Sequence, residues 1–408
     1  MGQSQAKALG HPSLPIVIIP HPFGSQSRAS VRQIAEQCML DIARVVCEAG
    51  PAPAQSTQAG PRAAMIEVGD DLDTVNQLFR ERRWSDGLPI VPPTAERVAR
   101  MLRGTARSRD EVVAIVAPGF GAASVELIAV NAVLAGCDPE YMPVLIAAVE
   151  AMTSPKFNLQ GIQASTNPAG VWMIVNGPLA KRLGMNSGIN ALGHGNWANS
   201  TMGRALRLIL QNIGRALPGE LDRSTLGQPG KHLFCCAENE EQSPWEPLHV
   251  ERGYRADQST VTVVGAEGTL NMNTHSKDAA EMIRVMAETI RRPTGNDYCK
   301  GGDPWMVLSP EHAAILKAGG LTKAEVKRML WEASRLPANR MAVIDMKRTM
   351  NRRQAELGEI RVDTLLPICV APEGLGIIVC GGPGTHSAHV SSFGNTRSVT
   401  SEIDCSRP

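Results

Sequence analysis

Residues 186–207, NSGINALGHGNWANSTMGRALR, combine amides, glycines and one histidine immediately before a predicted helix. Asn199 or Ser200 is the expected N-cap, and the free N–H groups and dipole of a helix start favour an anionic group. We expect this segment to surround a carboxylate or a developing oxyanion, although the amides and glycines could equally form a buried turn. The candidate residues are His194 for catalysis and Asn196, Asn199 and Arg204 for binding.

Adjacent cysteines and nearby carboxylates form a second candidate in residues 234–241, FCCAENEE. Vicinal cysteines seldom bridge each other because the geometry is strained, so Cys235 and Cys236 are either core residues, which we favour, or reactive thiols. If the strand continues, Glu238 and Glu240 point to opposite faces, so only one can serve a given site. Glu238 is the candidate acid or base.

Two histidines, His275 and His386, lie beside serines in loops expected after strands. They are candidates for proton transfer, and loop capping is the alternative. A serine next to its histidine in sequence rarely reaches it, so Ser–His hydrolysis is disfavoured. No metal-binding spacing links these histidines to His194, so metal content and cofactor stay unknown. The loop residues expected to contact substrate are Asn273, Ser276, Gly382 and Gly384.

Two further motifs favour structural roles. Asp86-Gly87 predicts a turn, in which Asp86 could also serve a ligand. Ser309-Pro310 predicts an N-cap with proline at the first helical position, so His312 is not a candidate catalytic residue.

The elements that would position these residues alternate between strand and helix, which predicts an α/β fold. Several predicted strands run into glycine-bearing loops, and such loops present backbone N–H groups at the carboxyl edge of a sheet. We therefore expect the active site at that edge. Neither the dinucleotide nor the P-loop glycine spacing occurs. The predicted strands are residues 14–19, 112–116, 171–175, 260–264, 341–344, 366–370 and 376–380; the predicted helices are 27–47, 124–135 and 279–291.

The chain has 408 residues, too many for one ordinary core. We predict a partial α/β unit over 1–48, a Pro/Ala/Gly-rich linker over 49–64, and a larger mixed α/β main domain over 65–408. A lone strand and helix cannot bury both faces, so residues 1–48 must pack on the main domain or on another chain. A homo- or hetero-oligomer is expected.

Composition excludes several function classes. The net charge of +1 and the 4% of aromatic residues argue against nucleic acid and membrane surfaces as partners. Nine scattered cysteines without a secretory signal predict a reducing, cytoplasmic location, and no apolar run is long enough to span a membrane.

The N-terminal segment AKALGHPSLPIVIIPHPFG and the helix after it resemble the last strand and helix of the UGSC family of selenoproteins and their cysteine homologues. The segments WSDGLPIVPPT, NALGHGNWANSTMGRALRL, CCAENEEQSPWEPL and LSPEHAAIL resemble the large domain associated with that family. The defining Sec-Gly-Ser-Cys or Cys-Gly-Ser-Cys motif is absent here. The resemblance implies that this motif lies on a partner subunit or is encoded upstream of Met1.

Three functions remain open. The resemblance implies a subunit of a thiol- or selenol-dependent enzyme acting on a small carboxylate or carbonyl compound, for example in reductive carbon–heteroatom cleavage. The residues alone also allow a self-sufficient hydrolase or lyase that uses His and Glu for proton transfer, with or without a metal. A non-catalytic assembly or binding subunit is the third possibility.

Overall fold

The computed structural model describes Ala6 and residues 14–19, 26–47 and 60–405, which form a mixed α/β protein as expected. The predicted N-terminal helix is present as α1 (Arg28–Cys47). Residues 14–19 have no regular secondary structure, so the predicted strand is not formed. Most of the predicted linker lies outside the described residues, and its end packs on the main domain, where Ser124 Oγ donates to the carbonyl of Pro61 over 2.7 Å.

Thirteen further helices follow in the described chain, and several begin at polar N-caps. Ser124 and Ser309 each accept a bond from a backbone N–H of the first turn, and Thr322 forms a full capping box with Glu325. The helices are α2 (Leu72–Glu81), α3 (Ala95–Leu102), α4 (Val125–Ala135), α5 (Met142–Thr153), α6 (Leu159–Ala164), α7 (Pro178–Arg182), α8 (Trp197–Asn212), α9 (Leu248–Glu251), α10 (Ala279–Ile290), α11 (Asn296–Lys300), α12 (Pro310–Ala318), α13 (Lys323–Ala333) and α14 (Val343–Leu357).

The strands form one large sheet and two two-stranded antiparallel sheets. The small sheets pair β1 with β2 and β7 with β8. The large sheet has seven strands in the order β4-β3-β5-β10-β6-β9, and β11 pairs with β5. The strands are β1 (Val112–Val116), β2 (Gly121–Ser124), β3 (Gly170–Asn176), β4 (Cys235–Ala237), β5 (Thr260–Asn273), β6 (Trp305–Leu308), β7 (Leu336–Pro337), β8 (Leu365–Leu366), β9 (Gly376–Val379), β10 (His386–Ser392) and β11 (Val399–Glu402).

The large sheet contains the same three-strand arrangement twice. In the first unit, β3 lies between parallel β4 and antiparallel β5; in the second, β6 lies between parallel β9 and antiparallel β10. The middle strands of the two units have similar sequences, Trp172-Met-Ile-Val and Trp305-Met-Val-Leu. Each is followed by a proline that begins a helix. The sequence Thr-His-Ser occurs both at His275 and at His386. These two copies are unrelated to the repeat, because the first follows β5 and the second lies at the start of β10.

The curled sheet brings its two edge strands together at their carboxyl ends. Asn239 N donates to the carbonyl of Val379 over 2.8 Å, and Cys380 Sγ donates to the carbonyl of Ala237 over 3.4 Å. We call these four residues the seam. The bonds at the seam use polar groups that an open edge would leave unpaired.

Side-chain alternation along the curled strands divides the interior into three cores. The inner face of the sheet encloses Trp172 and Trp305, which are fully buried with ring centroids 5.8 Å apart in an edge-to-face arrangement. The outer face of the first unit packs against α2, α3, α4, α5 and α8, and that of the second unit against α10, α12 and α13.

Several predicted strands are wrong in extent or type. Residues 341–344 are not a strand, because α14 begins at Val343, and the predicted strand 366–370 is reduced to the two residues of β8. β5 runs on to Asn273 through Gly265–Gly268, so that segment is not a loop. β2, β10 and β11 were not predicted, since they are short or polar and lack the apolar runs used as the signal. β6 was also not predicted, although its four residues are an apolar run.

The tryptophan at the centre of the sheet provides the first test. Trp172→Ala should lower the free energy of unfolding by about 3–5 kcal/mol, because it removes a fully buried indole and leaves a cavity. Trp197→Ala is the matched control, since Trp197 is 62% exposed. Urea unfolding measures both. Equal losses in the two variants would contradict the enclosed inner core.

Candidate functional site

The amide-rich segment 186–196 is held in place by its own amides. α8 begins one turn earlier than predicted, so its N-cap is Asn196, which accepts a bond from Asn199 N over 2.9 Å. Asn199, 2% exposed, bonds the backbone of Asn186 in both directions and donates to the carbonyl of Ala191. Both candidate binding amides therefore fix the loop. His194 is exposed, and its carbonyl accepts a bond from Asn190.

Arg204 is hydrogen-bonded to the turn at Asp86. Its Nε and Nη2 donate to the two carboxylate oxygens of Asp86 over 2.9 and 2.8 Å, and Nη2 also donates to the carbonyl of Pro89. Burial alone would raise the pKa of Asp86, but the hydrogen bond and charge of Arg204 outweigh it and lower that pKa. Arg204 and Asp86, which were both candidates for contacting a ligand, therefore bind each other.

The glycines after β9 lie against the 186–196 loop. Gly381 N donates to the carbonyl of Ser187 over 2.8 Å, and a Cβ at Gly382 would lie 2.3 Å from Ile189 Cγ1. The carbonyl of Gly384 accepts a bond from Ser309 Oγ over 2.7 Å. Close packing therefore explains the glycine at position 382.

Glu238 and Glu240 converge on one amide, contrary to the expectation that they face opposite ways. β4 ends at Ala237, so strand alternation no longer applies, and Asn176 Nδ2 donates to Glu238 over 2.6 Å and to Glu240 over 3.0 Å. Gly177 N also donates to Glu240, and Leu248 N to Glu238. The carboxylates fasten β4 to β3 at the carboxyl ends of both strands.

This strand-end group is closed to a substrate. Glu238 is 4% exposed, and burial raises the pKa of its carboxyl group, which favours the protonated form. Cys236 and Cys380 lie beside it in the inner core, where a hydrogen bond with Cys236 and burial raise the pKa of the Cys380 thiol. The neutral thiol is a poor nucleophile.

The two predicted proton-transfer histidines are neighbours on the surface. His386 begins β10, opposite Asn273, rather than following a strand. Its Nδ1 lies 3.2 Å from Asn271 Oδ1, while His275 Nδ1 lies 3.3 Å from Thr385 Oγ1.

Ser276 and His312, on either side of these histidines, have structural partners. Ser276 Oγ donates to Glu281 over 2.5 Å. His312, fully buried, hydrogen-bonds Ser387 Oγ and the carbonyl of Thr274. Within the described residues, no three His, Cys, Asp or Glu side chains are arranged to hold a metal ion.

A further polar group lies where β5 and β10 pair near the middle of the sheet. Val390 is opposite Thr269 and Ser392 is opposite Ala266, so Glu267 and Gly268 together face the single residue Ser391. This β-bulge, with Gly268 at φ +126°, interrupts the alternation and aims Glu267 at Asn296, which also donates to Asn167. We call the surrounding group the bulge cluster; it comprises Glu267, Arg292, Asn296, Asp297, Lys300 and His389.

The base of the bulge cluster is a buried acid–base network. Ser392 donates through N and Oγ to Asp297 Oδ1, each over 2.9 Å, and His389 Nε2 lies 3.8 Å from Asp297 Oδ2. Arg292 Nη2 contacts Ser391 Oγ and lies 3.3 Å from His389 Nδ1. His389 Nε2 and Arg292 Nε are buried without a hydrogen-bond partner, which is uncommon in folded proteins.

The environment of the bulge cluster shifts the pKa of several groups. Burial, reinforced by Asp297, raises the pKa of Glu267 to about 7, although the Asn296 amide opposes it. Burial, reinforced by Arg292, lowers the pKa of His389 to about 3, so the imidazole is neutral near pH 7. Burial also lowers the pKa of Lys300. Strongly shifted carboxyl groups collect at functional sites, and Glu267 is only half-buried.

None of the bulge-cluster residues was predicted to be functional. Glu267 lay in a presumed glycine loop, and glycines inside a strand pattern are a signal for a bulge that could have been used. Asp297 and His389 come together only through the pairing of β10 with β5 and the position of α11.

No family model, curated protein or solved structure gives a match to this chain. In the described part of the chain, no helix is both long and apolar enough to cross a bilayer.

The Arg204–Asp86 pair yields a stability prediction. Asp86→Asn should lower the free energy of unfolding by about 3 kcal/mol at pH 7, because it leaves a mostly buried guanidinium uncompensated. Asp257→Asn, which breaks the exposed Arg255 pair, is the control and should cost less than about 1 kcal/mol.

The pH dependence of the Asp86 effect follows from its lowered pKa. The ionised pair stabilises the fold above the unfolded pKa near 3.8, and this contribution is lost as the pH falls through the lower folded value. The difference between wild type and Asp86→Asn should therefore shrink in acid. A pH-independent difference would contradict an ionic contribution.

Proposed function

We propose that the chain is a hydrolase or lyase whose proton-transfer group is Glu267. The observation that carries this proposal is the placement of a half-buried carboxyl group with a pKa of about 7 on a β-bulge, above the buried Asp297–His389–Arg292 network. A group with a pKa near the working pH can both give and accept a proton in one catalytic cycle.

The surroundings of Glu267 support the proposal. Asn296 fixes one carboxylate oxygen, and Asn296 is itself tied to Asn167 over 3.0 Å. The Arg292 guanidinium contacts Ser391 and the neutral His389, both on β10. Glu238, by contrast, is enclosed at the strand ends, and His194 lacks a comparable network among the described residues.

The pH dependence of turnover tests the role of Glu267. A panel of small carboxylate, ester and hydroxy-acid substrates would be incubated with the chain in D₂O and followed by NMR for hydrolysis, elimination or deuterium incorporation. The pH profile of kcat/KM should have a limb near 7, and Glu267→Gln should lower kcat by about 10²–10⁴ and remove that limb.

Glu311→Gln is the matched control for this substitution, because Glu311 is paired with Lys277 on the surface. It should keep the wild-type profile. Equal activity of Glu267→Gln and wild type would refute the role, and an absence of turnover from the whole panel would favour the non-catalytic assembly subunit.

A second proposal is a subunit of a thiol- or selenol-dependent enzyme whose nucleophile is on a partner chain. It is supported by α1, where Cys38 is buried but Met39, Leu40 and Val46 are exposed, as on a helix that packs against another surface. Buried thiols with raised pKa values, such as Cys235 and Cys380, are unsuited to nucleophilic attack.

Alkylation tests whether a thiol of this chain reacts. Iodoacetamide on the folded chain should label the exposed Cys47 and Cys405 while Cys235, Cys236 and Cys380 stay unmodified, as read by peptide mass spectrometry. The urea-unfolded chain, in which all nine cysteines should react, is the control. Loss of activity in step with labelling of Cys236 or Cys380 would show that the chain carries its own nucleophile.

A further inference from the structure

The cations of the bulge cluster form no direct ion pair. Arg292 contacts His389 and Ser391, both uncharged, and the Lys300 ammonium lies 5.0 Å from the ring centroid of Phe393. Neither forms an ion pair with any carboxylate in the described chain. Other cations of similar burial are paired directly, such as Lys231 with Asp222 over 2.6 Å.

Partly desolvated cations without a direct ion pair are costly unless an anion joins them. Asp297 is not that anion for Lys300, because its Oδ1 accepts both bonds from Ser392 and its Oδ2 faces His389. Arg292 Nε is buried without a partner, so the guanidinium has donor capacity left. Both cations are half-buried, on the same side of the sheet as Glu267.

We propose that the bulge cluster binds the carboxylate of a small monoanionic substrate between Arg292 and Lys300. An arginine fork and an ammonium are common carboxylate ligands, and protonated Glu267 would donate its O–H to the same ligand. The buried Asp297 adds negative charge beside Arg292 when it is ionised, which favours a monoanion over a phosphate dianion. This substrate class rests on the proposed acid–base function of Glu267.

Binding should depend on the protonation of Glu267. The charged or titratable groups that face it are Asp297 and Lys300 from α11, Arg292 from the segment after α10, and His389 from β10; Arg352 from α14 acts on Lys300. His389 is neutral between pH 6 and 8, and Glu267 changes its charge within that interval. Its ionisation removes a donor and adds a negative charge that repels a carboxylate.

The test is a titration with pyruvate, acetate and inorganic phosphate at constant ionic strength, with apparent Kd taken from the ligand-dependent rise in Tm. At pH 6, wild type should bind both carboxylates more tightly than phosphate. Lys300→Gln should weaken carboxylate binding about tenfold, and Lys300→Arg should restore it. Lys317→Gln, which removes an exposed lysine on α12, is the charge-matched control and should bind as wild type does.

Glu267→Gln separates binding from catalysis. Wild-type affinity for pyruvate should fall between pH 6 and 8, whereas the variant, which keeps a donor without a titrating charge, should bind equally at both values. If this pattern holds while Glu267→Gln retains turnover, the anion site stands and the acid–base role fails. The anion site is overturned if no carboxylate binds, if phosphate binds more tightly, or if Lys300→Gln binds as tightly as Lys317→Gln.

Discussion

Closure of the large sheet at the seam is the constraint on which the remaining architecture depends. When the ends of β4 and β9 meet, every strand of the sheet has an enclosed inner face and an outer face covered by helices. All seven residues of β3 are consequently buried. The clusters of buried carboxyl groups in this sheet lie where strand geometry is interrupted or where strands end, because regular ladder positions of a sheet covered on both faces are mostly apolar.

The two buried polar groups of the sheet occur at those places. The strand-end group at Glu238 forms where β4 stops, and its carboxylates are used to fasten neighbouring backbones. The bulge cluster forms where one extra residue in β5 breaks the ladder with β10. In the second, a half-buried carboxyl group with a pKa of about 7 lies beside cations that form no direct ion pair, and for that reason we propose that the chemistry occurs there.

The repeated three-strand arrangement explains why the site is asymmetric. The two units share their strand order and their central tryptophans, which supply the scaffold. The bulge belongs to the third strand of the first unit, β5, while His389 lies on β10 of the second unit. The cluster thus combines residues from both copies, as is common for sites at the junction of packed units.

Local signals in the sequence were sufficient for the α/β class, for α1, α4 and α12, and for the apolar strands β1, β3 and β9, because helix caps and apolar runs act over a few residues. They misplaced residues 341–344, whose apolar side chains lie on a helix, and they missed β10, whose polar residues are acceptable only beside β5 and β6. The amides at Asn196 and Asn199 were correctly seen as unusual, but whether they face a ligand or a loop depends on which backbone groups lie near them. The tertiary structure alone decided that Arg204 meets Asp86 across more than a hundred residues, that Glu238 is enclosed, and that Glu267 meets Asn296 and Asp297, because burial and charge proximity arise only when distant segments pack together.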